Sequence, residues 1–192
     1  MESFHMNSAV QLKLAGVEVL ICDVDGTLTD GAVTFTSDGC EHKTFNVHDG
    51  LGIALALRNG LDIVFMTGRQ SEMVTRRAKE LGVKTVLQGI ANKRDAIDAL
   101  ATVKNLNMDA VAYIGDDLND IPAMERVGLV FAVQDANEYV CRQATIVLNK
   151  CGGRGAVREA IEIILDAKVG MRTVVDQYIT SSRDAASKLI QQ

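Results

Sequence analysis

Short, nearly continuous apolar runs alternate along the chain with longer segments whose apolar positions recur every three or four residues. The runs cover residues 17–22, 62–66, 110–114, 129–133 and 145–148. Their lack of polar alternation predicts strands buried on both faces of a parallel sheet. Residues 52–58, 71–81, 92–104, 121–127 and 156–168 carry the pattern of amphipathic helices. Ser71 stands at an N-cap position, and Gly60, Gly82 and Gly128 stand where helix C-caps are expected. Strand following helix in this way predicts a doubly wound α/β fold on a mainly parallel sheet. One segment breaks the rhythm: residues 32–36 and 40–47 flank Ser37-Asp38-Gly39, with Val33, Phe35, Phe45 and Val47 alternating with polar neighbours. That is a β-hairpin signal over about 32–47. The tail, about 170–192, is polar with scattered apolar residues and reads as either a weakly docked helix or a frayed tail, with at least partial order expected.

Composition narrows the class of function. The 192 residues suffice for one domain, 1–192, with a substantial core. A net charge of −5, no tryptophan and no basic stripe argue against binding to nucleic acid or an anionic membrane. No apolar run reaches the roughly 18 residues that would span a bilayer. The first 16 residues lack the basic-then-apolar layout of a signal peptide, so a cytoplasmic location is expected. Cys22, Cys40, Cys141 and Cys151 show no CxxC spacing and make no ligand cluster with His5, His42 and His48, which argues against structural zinc.

The chemistry sits where the apolar runs end. Asp23-Val24-Asp25-Gly26-Thr27 directly follows the first run, and period-two alternation sends Asp23 and Asp25 to the same side. Two carboxylates 4 Å apart repel by roughly 4 kcal/mol at an effective dielectric near 20, so a shared proton or a cation must offset them. A carboxylate pair in unequal environments can supply one nucleophile and one proton donor. A second run exits into Thr67-Gly68-Arg69, and a third into Gly115-Asp116-Asp117-Leu118-Asn119-Asp120, while Lys93 opens a helix. Ligands of open α/β sheets bind beyond the carboxyl ends of the strands, so these residues converge on one crevice. Taken singly, Thr67-Gly68-Arg69 is a common strand-to-helix turn and Lys93 a solvated helix-start lysine. Five aspartates in one crevice, with few histidines, instead select Mg²⁺. The Thr67 hydroxyl, the Gly68 N–H and the Lys93 ammonium suit the oxygens of a phosphoryl group.

The ordered set DxDGT, TGR, lone Lys and GDDxxD resembles the haloacid dehalogenase superfamily of phosphatases over residues 17–133. The resemblance implies that Asp23 is a nucleophile forming an aspartyl-phosphate and that Asp25 protonates the leaving alcohol and then activates water. It implies that Thr67 and Lys93 hold the phosphoryl oxygens. Mg²⁺ would be bound by Asp23, the backbone carbonyl of Asp25 and Asp116, with Asp117 and Asp120 in support. The intervals 27–67 and 67–93 are too short for an inserted cap of independent stability, so a Rossmann-like fold without a cap domain is expected.

Nearly the whole chain is similar to a capless subgroup that acts on phosphorylated acidic sugars. The segments that carry this likeness are residues 21–31, 45–50, 113–117 and 152–159. The subgroup resemblance implies an eight-carbon acidic sugar 8-phosphate, used in lipopolysaccharide precursor synthesis, as substrate. It implies a homotetramer built through the hairpin, in which a neighbouring subunit helps close each site. By position, Asp25, Asn46, Val47, His48, Asp49, Gly50, Thr67, Gly68, Arg69, Arg77 and Lys93 would contact substrate. An acidic sugar needs cations beyond Lys93, and an arginine grips a carboxylate with two parallel hydrogen bonds. Arg154 and Arg158 are further candidates, the latter with a helix-surface alternative. His48 and Ala54 stand where the subgroup carries arginine, which removes fixed positive charge near the sugar. Relatives acting on nine-carbon acidic sugar 9-phosphates, the alternative, carry Gly-Glu-Lys where this chain has Gly68-Arg69. A receiver-like phospho-acceptor domain is a remoter alternative, disfavoured because its acidic pair lies at the first strand and its acceptor at a later one. A non-catalytic protein of the same fold is disfavoured because every catalytic position is filled.

Overall fold

The computed structural model describes residues 7–39 and 41–190, with side chains through residue 183. Helix α1 (Ser8–Gly16) leads into β1 (Val19–Cys22), and a small hairpin follows, β2 (Thr34–Phe35) with β3 (Glu41–His42). The chain continues through α2 (Val47–Arg58), β4 (Asp62–Met66), α3 (Glu72–Leu81), β5 (Thr85–Leu87), α4 (Lys93–Lys104) and β6 (Val111–Gly115). It finishes with α5 (Ile121–Met124), β7 (Leu129–Ala132), α6 (Glu138–Gln143), β8 (Ile146–Val147), α7 (Ala156–Val169) and α8 (Met171–Ile190). The main sheet runs β5-β4-β1-β6-β7-β8, and every pairing in it is parallel.

Side-chain alternation along the strands divides the core into two layers. Leu20 and Cys22 of β1 join Ile63, Phe65, Ile114 and Phe131 under Leu14, Ile53 and Ile161 of α1, α2 and α7. Val19 and Ile21 join Val64, Met66, Tyr113 and Val130 on the other face, under Ile97, Ala123 and Val140 of α4, α5 and α6. Apolar residues on both faces are what a parallel sheet covered by helices requires, and they account for the unbroken apolar runs. Between Thr27 and Thr67 the described chain holds the hairpin, α2 and β4, and between Thr67 and Lys93 it holds α3 and β5. Neither interval forms a cap.

Several expected elements shift. Val17 and Glu18 precede β1, and Val17 is the fully buried C-cap of α1. Each hairpin arm keeps two paired residues, and Val47 opens α2 because the Asn46 side chain caps it, accepting from His48 N at 2.8 Å. Cys40, the first position of the expected second arm, lies outside the described residues. Helix α5 is four residues long, after a 3-10 turn at 118–120. Ser71 occupies the N-cap of α3 without a side-chain cap bond. Gly128 caps no helix: a Cβ there would lie 2.4 Å from Asp109 O, so the glycine permits close backbone approach. The tail forms α8, a twenty-residue helix anchored through buried Val174.

Candidate active site

Strand β1 lies between β4 and β6, with Cys22 in register with both Phe65 and Ile114. Three adjacent strands therefore end at one level, and the residues that follow them share one crevice. Asp23 N–H extends the pairing by donating to Ile114 O at 3.0 Å. The turn after Asp25 passes through Gly26 at φ +100°, and a Cβ there would lie 2.1 Å from Asp116 Oδ2. Only glycine suits both the backbone angle and the closeness of that carboxylate. Thr27 Oγ1 donates to Asp116 Oδ1 at 3.2 Å, tying the first loop to the third.

Lys93 is placed by the start of α4, where the Asn92 side chain accepts from Arg94 N and Asp95 N. Its buried ammonium donates to Asp23 Oδ1 at 2.5 Å and also to Asp120 Oδ1. Asp120 has no exposed surface. Its Oδ1 also accepts the Tyr113 hydroxyl at 2.6 Å, and its Oδ2 accepts Asp116 N at 2.9 Å and Asp117 N at 3.2 Å. On the other side of Asp23, Thr67 Oγ1 donates to Asp25 Oδ2 at 3.2 Å, and Lys43 of the hairpin segment donates to Asp25 Oδ1.

Burial and crowding set the protonation. Burial, then the neighbouring Asp120 charge, pushes Asp23 well above the usual carboxylate range. The same two causes push Asp116 up to about 7. Burial would lower the Lys93 ammonium, but Asp23 and Asp120 outweigh it and the net direction is up. One carboxylate oxygen from each of Asp23, Asp116 and Asp120 lies within 4.8 Å of the others. This acidic, oxygen-only donor set fits a hard divalent cation, whose charge would relieve the repulsion that now favours protonated acids. Asp120 already has partners on both oxygens, so Asp23 and Asp116 are the side chains better placed to ligate, with Asp120 as their anchor.

The remaining expected site residues occupy a graded periphery. Exposed Asp117 caps the 3-10 turn, its Oδ1 accepting from Leu118 N at 2.8 Å. Gly68 and Arg69 are exposed at the mouth, where Arg69 Nη2 meets Glu41 Oε1 at 2.8 Å. Arg77 is packed beneath the start of α2, donating to Asn46 O at 3.4 Å and to Glu80 at 3.0 Å. A Cβ at Gly50 would meet Arg77 Nη2 at 2.4 Å, so this glycine makes room for the guanidinium. Val47 and His48 are exposed, whereas Asp49 is buried and its Oδ1 accepts Arg158 N at 2.8 Å, which couples α2 to α7. Asn46 Nδ2 reaches Gly153 O at 3.2 Å. Arg158 pairs with Glu162 along α7, and together with His48, Lys150 and Arg154 it lines a cavity of about 360 Å³.

Sequence reasoning passed over Lys43, Glu41 and Tyr113. A tyrosine inside an apolar strand needs a partner for its hydroxyl, which was an available signal for Tyr113. Glu41 and Lys43 are two residues apart and face the same way, but a short polar arm gave no other sign of the crevice.

Comparison with known proteins agrees with this geometry. Residues 85–161 match the family described as haloacid dehalogenase-like hydrolase. The 3-deoxy-D-manno-octulosonate 8-phosphate phosphatase KdsC of Salmonella typhi is 40% identical over 163 residues, 85% of this chain and 87% of that protein. The crystal structure of the phosphatase of the same name from Yersinia pestis superposes with a TM-score of 0.83 at 40% identity, covering 85% of this chain and 88% of that one. That from Moraxella catarrhalis, in complex with magnesium ion, phosphate ion and a KDO molecule, gives 0.87 at 37% identity, covering 91% and 99%. Both the sandwich and the acidic crevice are those of a phosphate-handling α/β hydrolase. The chain belongs to the haloacid dehalogenase-like hydrolases and, among them, to the family of 3-deoxy-D-manno-octulosonate 8-phosphate phosphatases.

Proposed function

We propose that this protein is a Mg²⁺-dependent phosphatase that releases phosphate from 3-deoxy-D-manno-octulosonate 8-phosphate, a phosphorylated acidic sugar, through an aspartyl-phosphate on Asp23. The observation that carries the proposal is the set of buried Asp23, half-buried Asp116 and buried Asp120 against Lys93 at the exits of adjacent strands. An Asp23 carboxylate oxygen attacks phosphorus while Asp25 gives a proton to the departing sugar oxygen; Asp25 then takes a proton from the water that hydrolyses the acyl phosphate. Thr67, the Gly68 N–H and Lys93 hold the phosphoryl oxygens, a transfer that depends on positioning and charge neutralisation. Asp23, Asp116 and the Asp25 carbonyl would hold Mg²⁺, with Asp120 and Asp117 in support. When bound, the ion neutralises the carboxylates and the charge on the phosphoryl group.

For the sugar, Arg69 at the mouth and the exposed Val47 and His48 at the start of α2 would make direct contacts. Asn46, Asp49, Gly50 and Arg77 would shape that wall from behind. Exposed Val33 and Phe35 on the hairpin support assembly into a homotetramer. The sheet shared by both core layers supports reading 1–192 as one phosphatase domain. The free thiols Cys22, Cys141 and Cys151 suit a reducing, cytoplasmic setting. Among the described residues no helix is long and apolar enough to cross a membrane.

Phosphate release across a panel of sugar phosphates tests the substrate. The highest kcat/KM is expected for the eight-carbon acidic sugar. A preference for a neutral hexose phosphate, or for a nine-carbon acidic sugar 9-phosphate, would overturn the assignment.

A further inference from the structure

The hairpin sends one residue into the crevice that the catalytic scheme does not use. The Lys43 side chain retains only 2% of its exposure, although it follows directly on the partly exposed strand β3. Burying a long cationic side chain is costly unless its charge is paired, and the partner here is Asp25 Oδ1. Thr67 Oγ1 holds the other oxygen, Oδ2, at 3.2 Å. Asp25 is therefore gripped from two directions, by the hairpin segment and by the exit of β4. The grip continues outward: Glu41 Oε1 lies 3.7 Å from Lys43 Nζ and 2.8 Å from Arg69 Nη2. Cation and anion alternate from Arg69 at the rim through Glu41 and Lys43 to Asp25, and three of these four side chains have a buried or largely buried head.

We infer that Lys43 is a positioning residue for Asp25. It fixes the plane of the carboxyl group so that one oxygen addresses the bridging oxygen of the substrate. The inference rests on the reading of Asp25 as the acid and base of the reaction. In the first half-reaction an Asp23 oxygen forms its bond to phosphorus as the bond from phosphorus to the sugar oxygen breaks. The sugar oxygen keeps that electron pair and takes the proton of the Asp25 carboxylic acid, leaving the Asp25 carboxylate beside the Lys43 ammonium. A carboxyl group free to turn about its Cβ–Cγ bond would spend much of its time misaligned, and a misplacement of about 1 Å can cost on the order of 100-fold in rate. The hairpin thereby has a role within its own subunit: it delivers the ammonium that orients the acid.

Proton donation matters in proportion to how poor the leaving group is, and this separates positioning from folding. The test measures single-turnover release of the leaving alcohol from a series running from 4-nitrophenyl phosphate to alkyl and sugar phosphates. The proteins are the parent, Asp25→Asn, Lys43→Met and Lys43→Arg, each checked for an unchanged melting temperature. Asp25→Asn should steepen the dependence of rate on leaving-group basicity. Lys43→Met should steepen it in the same sense, slowing alkyl phosphates about 10-fold or more beyond any effect on 4-nitrophenyl phosphate. Lys43→Arg should restore most of the difference, with little change in KM throughout. If Asp25→Asn steepens the dependence and Lys43→Met does not, the role of Lys43 is refuted while that of Asp25 stands. A uniform slowing by Lys43→Met, or a change confined to KM, also overturns the inference, since phosphate binding or general structure would then be its function. If Asp25→Asn leaves the dependence unaltered, the assignment of Asp25 fails and the inference fails with it.

Discussion

Asp116 shows how single residues in this crevice hold charge that the fold alone does not balance. Its carboxyl group is pushed from the ordinary 3.8 up to about 7, first by burial and then by Asp120. In the metal-free protein the folded state holds this proton more tightly than the unfolded chain does. The resulting stabilisation is present at low pH and is lost as pH rises through about 7. Asp23, displaced in the same direction by the same causes, adds to the trend. A cation competes with those protons, so Mg²⁺ should raise the melting temperature more at pH 8 than at pH 6. Thermal unfolding with and without Mg²⁺ across that range checks it, and an increment that shrinks with rising pH would contradict the placement of the ion between Asp23 and Asp116. The aspartates were legible because charged residues at the ends of apolar runs are conspicuous, and Lys93, which opens a helix, only because it completes the ordered set of motifs. Lys43 was not, because nothing in a short polar arm marks which of its side chains turns inward.

At the scale of elements, helices α2 and α7 illustrate a function that sequence position suggests and geometry refines. Asp49 lies in a segment whose resemblance implies sugar contacts, yet its carboxylate is buried against the first turn of α7 and accepts the Arg158 N–H. Gly155, the N-cap of α7, has no side chain to do this, so Asp49 of α2 caps α7 from across the interface. That cap lies beside the loop in which Gly153 N donates to Thr27 O at 2.9 Å, behind the turn that follows Asp23. Burial raises the Asp49 carboxyl, so a neutral acceptor should serve nearly as well. Asp49→Ala is expected to cost about 1 kcal/mol in denaturant unfolding, and Asp49→Asn much less. Equal losses in the two variants would refute the cross-helix cap. Strands β1, β4, β6 and β7 were read within a residue or two because burial on both faces leaves an unbroken apolar signature. Helices α1 and α6 and edge strand β5 escaped notice because they are short or half-exposed, where apolar periodicity is weakest.

For the whole molecule, strand order explains why residues scattered from 23 to 120 make one site: β1 sits between β4 and β6, so the three loops that leave them are neighbours. The alternation of strand and helix was enough to anticipate a doubly wound sheet with one crevice at its strand ends, though not the strand order, and nothing in the periodicity indicates assembly. The hairpin exposes Phe35 at 65% and Val33 at 45%, on the arm opposite the one that feeds the crevice. A homotetramer is expected in light scattering, and Phe35→Ser should shift it towards smaller species with a loss of activity. A parent protein of 20.7 kDa in solution would remove the case for shared closure of the site.

The most direct test of the central claim is the rate of phosphate release from 3-deoxy-D-manno-octulosonate 8-phosphate by the parent and by Asp23→Asn, each in Mg²⁺ and in excess chelator. The parent in Mg²⁺ should turn over. Asp23→Asn should be slower by at least about a thousandfold, and the chelated parent should be comparably inactive until Mg²⁺ is returned. Turnover by Asp23→Asn at the parent rate, or a parent rate indifferent to the chelator, would contradict covalent catalysis at Asp23 in a Mg²⁺ site.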